Sequence, residues 1–326
     1  MRAVRCRTWG GTADLTVDDI DPPDLAPGGV RIAVRAAGLN FADTLIIAGQ
    51  YQSKPPLPFT PGFEVAGEVV ECAADVTRCR EGERVAAVVD LGGFAEEVVA
   101  AESDVYALPD AVDDVTAAAF TVAYGTSHFG LKYKADLAAG DVLLVHGAAG
   151  GVGLNAVEVG RRLGATVIAT AGGASKLQVA AEYGAEHLID YRIEDIREKV
   201  KEITGGRGAD VVYDPVGGTV FDASLRCTAA GGRILVVGFA SGTIPQIPAN
   251  ILLVKNLTVI GYSWGPHRRL APELMKASFA ELLAWLAEGK IRPLVSRTFP
   301  LEQAREALDE LRARRSTGKI VLTVDR

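Results

Sequence analysis

The sequence predicts an α/β chain of two domains, one antiparallel and β-rich, the other built on a doubly wound parallel sheet. Three observations carry this. The 326 residues exceed the length at which one hydrophobic core stops growing. Up to about residue 122 the chain reads as short strands broken by Gly and Pro; beyond it, apolar runs alternate with helical patterns, the signature of βαβ units. The first of those runs leads directly into a glycine-rich loop and then a helix.

In chain order, 30–36 and 67–72 alternate as strands, and 81–85 is a turn leading into another. Pro22-Pro23 and Pro55-Pro56-Leu57-Pro58 cannot donate ladder hydrogen bonds and mark the loops between them. The apolar runs at 142–145, 166–170, 187–190, 211–214, 233–238 and 257–261 supply six parallel strands, enough for a complete doubly wound sheet. After them, 279–287 and 301–314 read as amphipathic helices and 319–324 as a closing strand that returns to the first domain. The expected domains are therefore 1–122 with 263–326, and 123–262.

Composition narrows the classes of partner. With 34 Lys and Arg against 41 Asp and Glu, the net charge of −7 offers no basic excess for nucleic acid. Residues 1–9 lack the apolar stretch of a secretory signal, and no run approaches the roughly 18 apolar residues of a membrane span. A cytoplasmic location is expected. Cys6, Cys72, Cys79 and Cys227 are too scattered for a disulfide framework and read as free thiols. His128, His146, His187 and His267 have no ligand spacing and receive no role.

The glycine-rich loop is Gly147-Ala148-Ala149-Gly150-Gly151-Val152-Gly153. Between a strand and a helix it reads as a Rossmann dinucleotide loop: glycines let the backbone approach a diphosphate, and the unpaired amides and positive dipole end of the new helix attract its charge. The same glycines could instead only pack helix against sheet. Ala149, Gly150, Gly151 and Val152 are the expected diphosphate contacts. At the end of the second strand an NAD-binding unit places an acid against the ribose 2′-hydroxyl. Here stands Gly172-Gly173-Ala174-Ser175-Lys176, with no carboxylate to repel a 2′-phosphate. NADPH is the expected cofactor, touched by Gly172, Ser175, Lys176 and, from after the third strand, Tyr191. Lys176 could equally be a solvated lysine at a helix start.

With these residues in place, the chain resembles, end to end, the medium-chain dehydrogenase/reductase superfamily and within it the zinc-free NADPH:quinone oxidoreductases. The matching segments are Ala36-Ala37-Gly38-Leu39-Asn40-Phe41-Ala42-Asp43, Thr60-Pro61-Gly62-Phe63-Glu64-Val65-Ala66-Gly67, the loop from His146, and Tyr213-Asp214-Pro215-Val216-Gly217-Gly218. The resemblance implies a GroES-like antiparallel catalytic domain beside the Rossmann domain. Zinc-dependent relatives carry a Cys in the first segment and a His before the Glu in the second; Asn40 and Phe63 stand there instead, and Cys72 and Cys79 lack a partner pair, so no metal site is expected. Without a metal to acidify an alcohol, reduction of a conjugated acceptor is the implied chemistry.

The implied reaction is hydride transfer from NADPH to a quinone, or to the β-carbon of an enone or enal, in the cleft between the domains, with the product anion protonated from water. Asn40 and Tyr51 are placed at the acceptor; Tyr51 can donate from its phenol or simply pack. Asp43 is expected to order its loop. Where relatives carry an Arg between Asp43 and Tyr51, this chain has Ile47, which implies a less polar acceptor pocket. Further cofactor contacts implied are Thr121, Val122, Thr126, Phe239, Ala240, Ser241 and Lys319, although the threonines could cap a helix, Phe239 could be core and Lys319 solvated. A homodimer pairing along 257–261 is implied too. An NADPH-binding sensor or structural protein with little turnover stands as the alternative of another class.

Overall fold

The computed structural model describes residues 1–325. The strands run β1 (Arg2–Arg5), β2 (Thr16–Asp19), β3 (Gly29–Gly38), β4 (Glu64–Cys72), β5 (Arg84–Val88), β6 (Glu97–Ala101) and β7 (Val105–Ala107). Next come β8 (Val142–Val145), β9 (Thr166–Ala171), β10 (His187–Asp190), β11 (Ala209–Asp214), β12 (Thr228–Val236) and β13 (Thr258–Gly261), and then β14 (Val295–Pro300) and β15 (Lys319–Thr323). They fall into two compact units, Met1–Val122 with Leu283–Arg326, and Ala123–Leu282.

In the first unit a sheet of order β14-β15-β3-β4-β5-β7 is antiparallel except for the pair β14–β15, and β6 joins it against β3. The long strand β3 is the hub, pairing with β4, β6 and β15. Its buried Val30, Ile32 and Val34 join Leu39, Ile46, Ile47, Phe94 and Leu308 in one core, where each aliphatic side chain contributes about 1.5–3 kcal/mol by leaving water. The closing strand returns as expected: Val321 lies opposite Gly38 and Leu322 opposite Ala37. That register brings Lys319, at the start of β15, to the end of β3.

The second unit is a six-stranded parallel sheet of order β10-β9-β8-β11-β12-β13, the doubly wound arrangement. Each expected run supplies a strand: the four inner ones are covered on both faces, with Leu144, Ile168, Val212 and Ile234 fully buried, while the edge strands β10 and β13 are partly exposed. The fifth strand starts earlier than 233, at Thr228, since Thr228 already pairs with Ala209.

Two helices differ from their expected bounds. The first begins at Pro272 instead of 279, and its early turns pack within the second unit: Ser278 bonds His128, and Phe279 lies beside Trp264 over Gly125. For the same reason the second unit extends to Leu282, where 262 was the expected bound. The other splits into a 3₁₀ turn, Leu301–Gln303, and a helix, Ala304–Arg312, ended by the left-handed Arg314 (φ 55°).

Candidate active site

Strand β8 passes through His146 and Gly147, whose φ of 59° turns the chain, into the helix Gly151–Arg162. The loop is pinned from three sides: His146 N donates to Tyr213 O (3.1 Å), Ala148 N to Thr170 O (3.0 Å) and Gly150 N to Gly147 O (2.9 Å). At Gly153 a β-carbon would stand 2.2 Å from Gly147 O, so only glycine lets the helix start this close to the loop. The N-cap is Gly150, with no capping side chain and no acid in the first turn. A β-carbon built on Gly150 would meet only Gly147 O within 4 Å, which leaves the loop crest open beside the first-turn amides. Ala149, Gly150, Gly151 and Val152 thus form a cradle that suits a diphosphate.

His146 is fully buried and holds this loop from below. Ser224 Oγ donates to Val220 O (2.9 Å), so it accepts from His146 Nε2 (2.8 Å), and Nδ1 in turn accepts from Thr170 Oγ1 (2.9 Å). Burial lowers its pKa, opposed by Asp214, and the ring is a neutral brace. His128 is likewise internal, between Ser278 (2.7 Å) and Glu281 (3.0 Å), with burial pulling its pKa down to about 4.

Beside the cradle, the loops after β11 and β12 are zipped together. Val216 N and Gly217 N donate to Asp214 Oδ1 (2.8 and 2.9 Å), Ala240 N to Pro215 O (3.0 Å) and Ser241 N to Val216 O (2.9 Å). Val216 in turn borders Gly147, since a β-carbon there would lie 3.4 Å from its Cγ2. Phe239, Ala240 and Ser241 therefore share the sheet edge with the phosphate loop. Thr126 is buried and gives its carbonyl to Tyr262 Oη (3.0 Å), while its neighbour Ser127 donates to Val152 O (2.9 Å) in the first turn after the loop.

At the end of β9, Ser175 is exposed and Lys176 half-buried on the helix Ala174–Glu182. Tyr191 joins them: its hydroxyl would lie 2.7 Å from a β-carbon on Gly172. Sequence reading missed two neighbours. Although no acid belongs to the turn itself, Asp190 ends β10 beside it and grips Arg192, whose guanidinium covers Gly173. Strand pairing between β9 and β10, Ala171 opposite Asp190, makes this juxtaposition.

The first unit carries a second constellation. Glu64 Oε1 accepts from Lys319 Nζ (2.7 Å) and Asn40 Nδ2 (2.9 Å); Oε2 accepts from Thr121 Oγ1 (2.9 Å) and Val122 N (2.8 Å). Lys319 Nζ also donates to Leu39 O (2.5 Å) and Asn40 Oδ1 (2.8 Å), so its three protons are taken and it is a buried cation, not a solvated lysine. Four residues that the sequence assigned separately, Asn40, Thr121, Val122 and Lys319, thus converge on one carboxylate to which the sequence reading gave no role. Asn40 also caps the helix Phe41–Ile47, and Asp43 reaches back to its amide (2.7 Å) and to Gly62 N (3.1 Å), ordering the loop as expected. Full burial raises the Asp43 pKa to about 7 despite these bonds and the Lys319 charge.

Tyr51 packs on Phe63, ring centroids 6.1 Å apart, and burial together with Asp43 raises its phenol pKa, so it remains a donor at neutral pH. Ile47 lies in the hydrophobic core of the unit, so the apolar replacement there changes packing. The cluster does not fit zinc. An amide and a phenyl ring occupy the ligand positions, an ammonium sits against Glu64, and among the described residues no three His, Cys, Asp or Glu side chains converge.

A dinucleotide loop on a doubly wound sheet, with a GroES-like antiparallel unit around it in sequence, defines the alcohol-dehydrogenase-like class of two-domain oxidoreductases. Residues 26–110 match the alcohol dehydrogenase GroES-like domain and residues 151–288 the zinc-binding dehydrogenase domain. The chain belongs to the zinc-independent quinone oxidoreductases of the medium-chain dehydrogenase/reductase superfamily. It is 43% identical over 324 residues to the quinone oxidoreductase-like protein 2 homolog of Nematostella vectensis, covering 98% of this chain and 88% of that one. It is 37% identical to the quinone oxidoreductase of Pseudomonas aeruginosa, covering 98% and 99%. The structure of Escherichia coli quinone oxidoreductase complexed with NADPH superposes with a TM-score of 0.93 at 32% identity, covering 99% of this chain and all of that one. Among the described residues no helix is long and apolar enough to cross a membrane.

Proposed function

We propose that this protein reduces quinones with NADPH and without a metal ion. The observation that carries the reading is the buried Lys319–Glu64–Asn40 triad: an internal ammonium is bonded to Asn40, which stands where zinc-dependent relatives keep a Cys ligand. Such a site has nothing to acidify an alcohol, whereas a conjugated acceptor needs only a hydride and hydrogen bonds to its oxygen. Relatives of the same family named for quinone reduction, and one solved with NADPH, support the same conclusion.

NADPH, when bound, supplies the hydride. The chain's residues position it: the cradle Ala149, Gly150, Gly151 and Val152 takes the diphosphate, Gly172, Ser175, Lys176 and Tyr191 the adenosine end, and Thr126, Phe239, Ala240 and Ser241 the nicotinamide end. Asn40, Thr121, Val122 and Lys319 form a wall held rigid by Glu64, their bonding groups spent on one another. That leaves the Tyr51 phenol to donate to the acceptor oxygen as charge develops on it. NADPH oxidation with a panel of quinones and enals tests this: quinone-dependent turnover is expected, faster enal turnover would make the protein a double-bond reductase, and tight NADPH binding with no acceptor-dependent oxidation would favour a sensor.

The protein is further proposed to act as a cytoplasmic homodimer. Its four cysteines are free thiols, as a reducing compartment keeps them. Strand β13 ends its sheet with one neighbour, and Leu253 and Val254 on the adjoining helix are 76% and 75% exposed, a patch suited to a second copy. Sedimentation should show a dimer that Val254→Glu converts to monomer; a monomeric wild type refutes this.

A further inference from the structure

The turn after β9 is covered by two side chains that come from the next strand. A β-carbon on Gly173 would lie 2.5 Å from Arg192 Nη2 and 2.9 Å from its Cζ, and Gly173 has a φ of 99° that other residues rarely adopt. The guanidinium plane therefore lies over bare backbone at the place where a Rossmann unit receives the ribose 2′-substituent, with the Tyr191 hydroxyl alongside over Gly172. Beneath it, Arg192 Nε donates to Asp190 Oδ1 (3.0 Å) and Nη2 to Oδ2 (2.9 Å), a two-pronged grip, while Arg192 N donates to Oδ1 as well (3.1 Å). The acid is nearly buried, its side chain 10% exposed, and the cation faces solvent at 57%. Nη1 takes no part in the grip.

We infer that Arg192 reads the 2′-phosphate of the cofactor, and that Asp190 is a ribose-seeking acid kept out of use by the same pair. The pair as a whole is neutral, so its selectivity comes from layering, positive outward and negative beneath. Arginine is suited to this because it cannot lose its proton and presents a planar fork to a phosphate. An acid with free oxygens at this turn would accept from a 2′-hydroxyl and repel a 2′-phosphate; here both oxygens are occupied by the guanidinium. With its cation more than half exposed the pair contributes only modestly to stability, and the unfolding midpoint of Arg192→Gln separates any such loss from recognition. The inference rests on the proposed binding of NADPH at this turn and adds a residue that selects it.

The test is calorimetric titration of the whole protein with adenosine 2′,5′-bisphosphate and with adenosine 5′-monophosphate. Wild type should prefer the bisphosphate. Arg192→Gln should lower bisphosphate affinity by about ten- to a hundredfold, as loss of one charge-assisted contact implies, and leave the monophosphate unchanged. Turnover with NADH should rise severalfold in Arg192→Gln, and the added change Asp190→Asn should abolish that gain. An Arg192→Gln protein that keeps the wild-type preference, or weakens for both nucleotides equally, overturns the assignment while leaving NADPH binding intact. No gain with NADH overturns the masked-acid half. A wild type without preference overturns the assignment together with the NADPH reading of the turn.

Discussion

Lys319 Nζ lies 2.7 Å from Glu64 Oε1 with side-chain exposures of 5% and 0%, joining the first residue of the last strand to the first residue of β4. Two opposite charges taken this far from water stabilise little as a pair, but either one alone is costly.

Lys319→Met is therefore expected to destabilise the protein by about 3–5 kcal/mol, because it strands the Glu64 carboxylate. The double variant Lys319→Met/Glu64→Leu should recover much of that loss. Chemical denaturation of both singles and the double closes the cycle; a single-variant cost under about 1 kcal/mol would place the pair in the class of solvated bridges.

Tyr51→Phe removes one hydroxyl and leaves the ring on Phe63. The expected result is a fall in kcat of about ten- to a hundredfold, somewhat less than loss of one donor from a dedicated oxyanion site, with NADPH affinity and thermal midpoint unchanged. Steady-state kinetics with a quinone decides it; an unaltered kcat would leave Tyr51 a packing residue.

Asp43 should shape the pH dependence of stability. Its folded pKa, about 7, is raised above the ordinary 3.8 by burial, so between those values the folded state holds the proton that the unfolded state has lost. Stability from this group is present below about pH 4 and drains away as pH climbs to about 7. Asp190 has the opposite sign: Arg192 lowers its pKa to about 2, so its contribution is lost as pH falls from about 4 through 2. Urea midpoints of wild type and Asp43→Asn across pH 4–8 should converge on one side only, the variant gaining relative to wild type as pH rises toward 7; parallel curves would contradict the buried acid.

Gly153→Ala places a methyl 2.2 Å from Gly147 O. Backbone cannot yield as a side-chain tip does, so a loss of about 1–3 kcal/mol or more is expected, with the phosphate loop displaced and NADPH binding weakened disproportionately. Comparing the NADPH dissociation constant with the unfolding midpoint separates these effects; unchanged binding would detach the loop from the cofactor.

Much of this was readable from residues alone. The inner strands β8, β9, β11 and β12 announce themselves as apolar runs because both their faces are covered, and the phosphate loop by its glycines, of which Gly153 has contacts that admit no side chain. The start of the helix at Pro272 was not, since its first turns carry Glu273 and Lys276 and declare themselves only through Ser278 against His128 and Phe279 against Gly125, far back in the chain. The Glu64 cluster was half legible. Its members were visible one by one, but bonds spanning 255 and 57 residues cannot be inferred from local pattern. Arg192 was invisible for a similar reason: it faces the β9 turn through the register of β10, not through its neighbours in sequence. A signal existed, for an acid two residues before an arginine at a strand end is a ready-made grip.

The insertion of β15 beside β3 also sets an order of birth. The second unit, Ala123–Leu282, is contiguous and can fold as it leaves the ribosome, whereas the first unit, begun earlier, must wait for the codons of β15. Until Lys319 emerges, Glu64 has no counter-charge, and a premature stop a few codons upstream would leave it so permanently. Quality control would meet a nascent chain in which the first unit stays open after the second has closed.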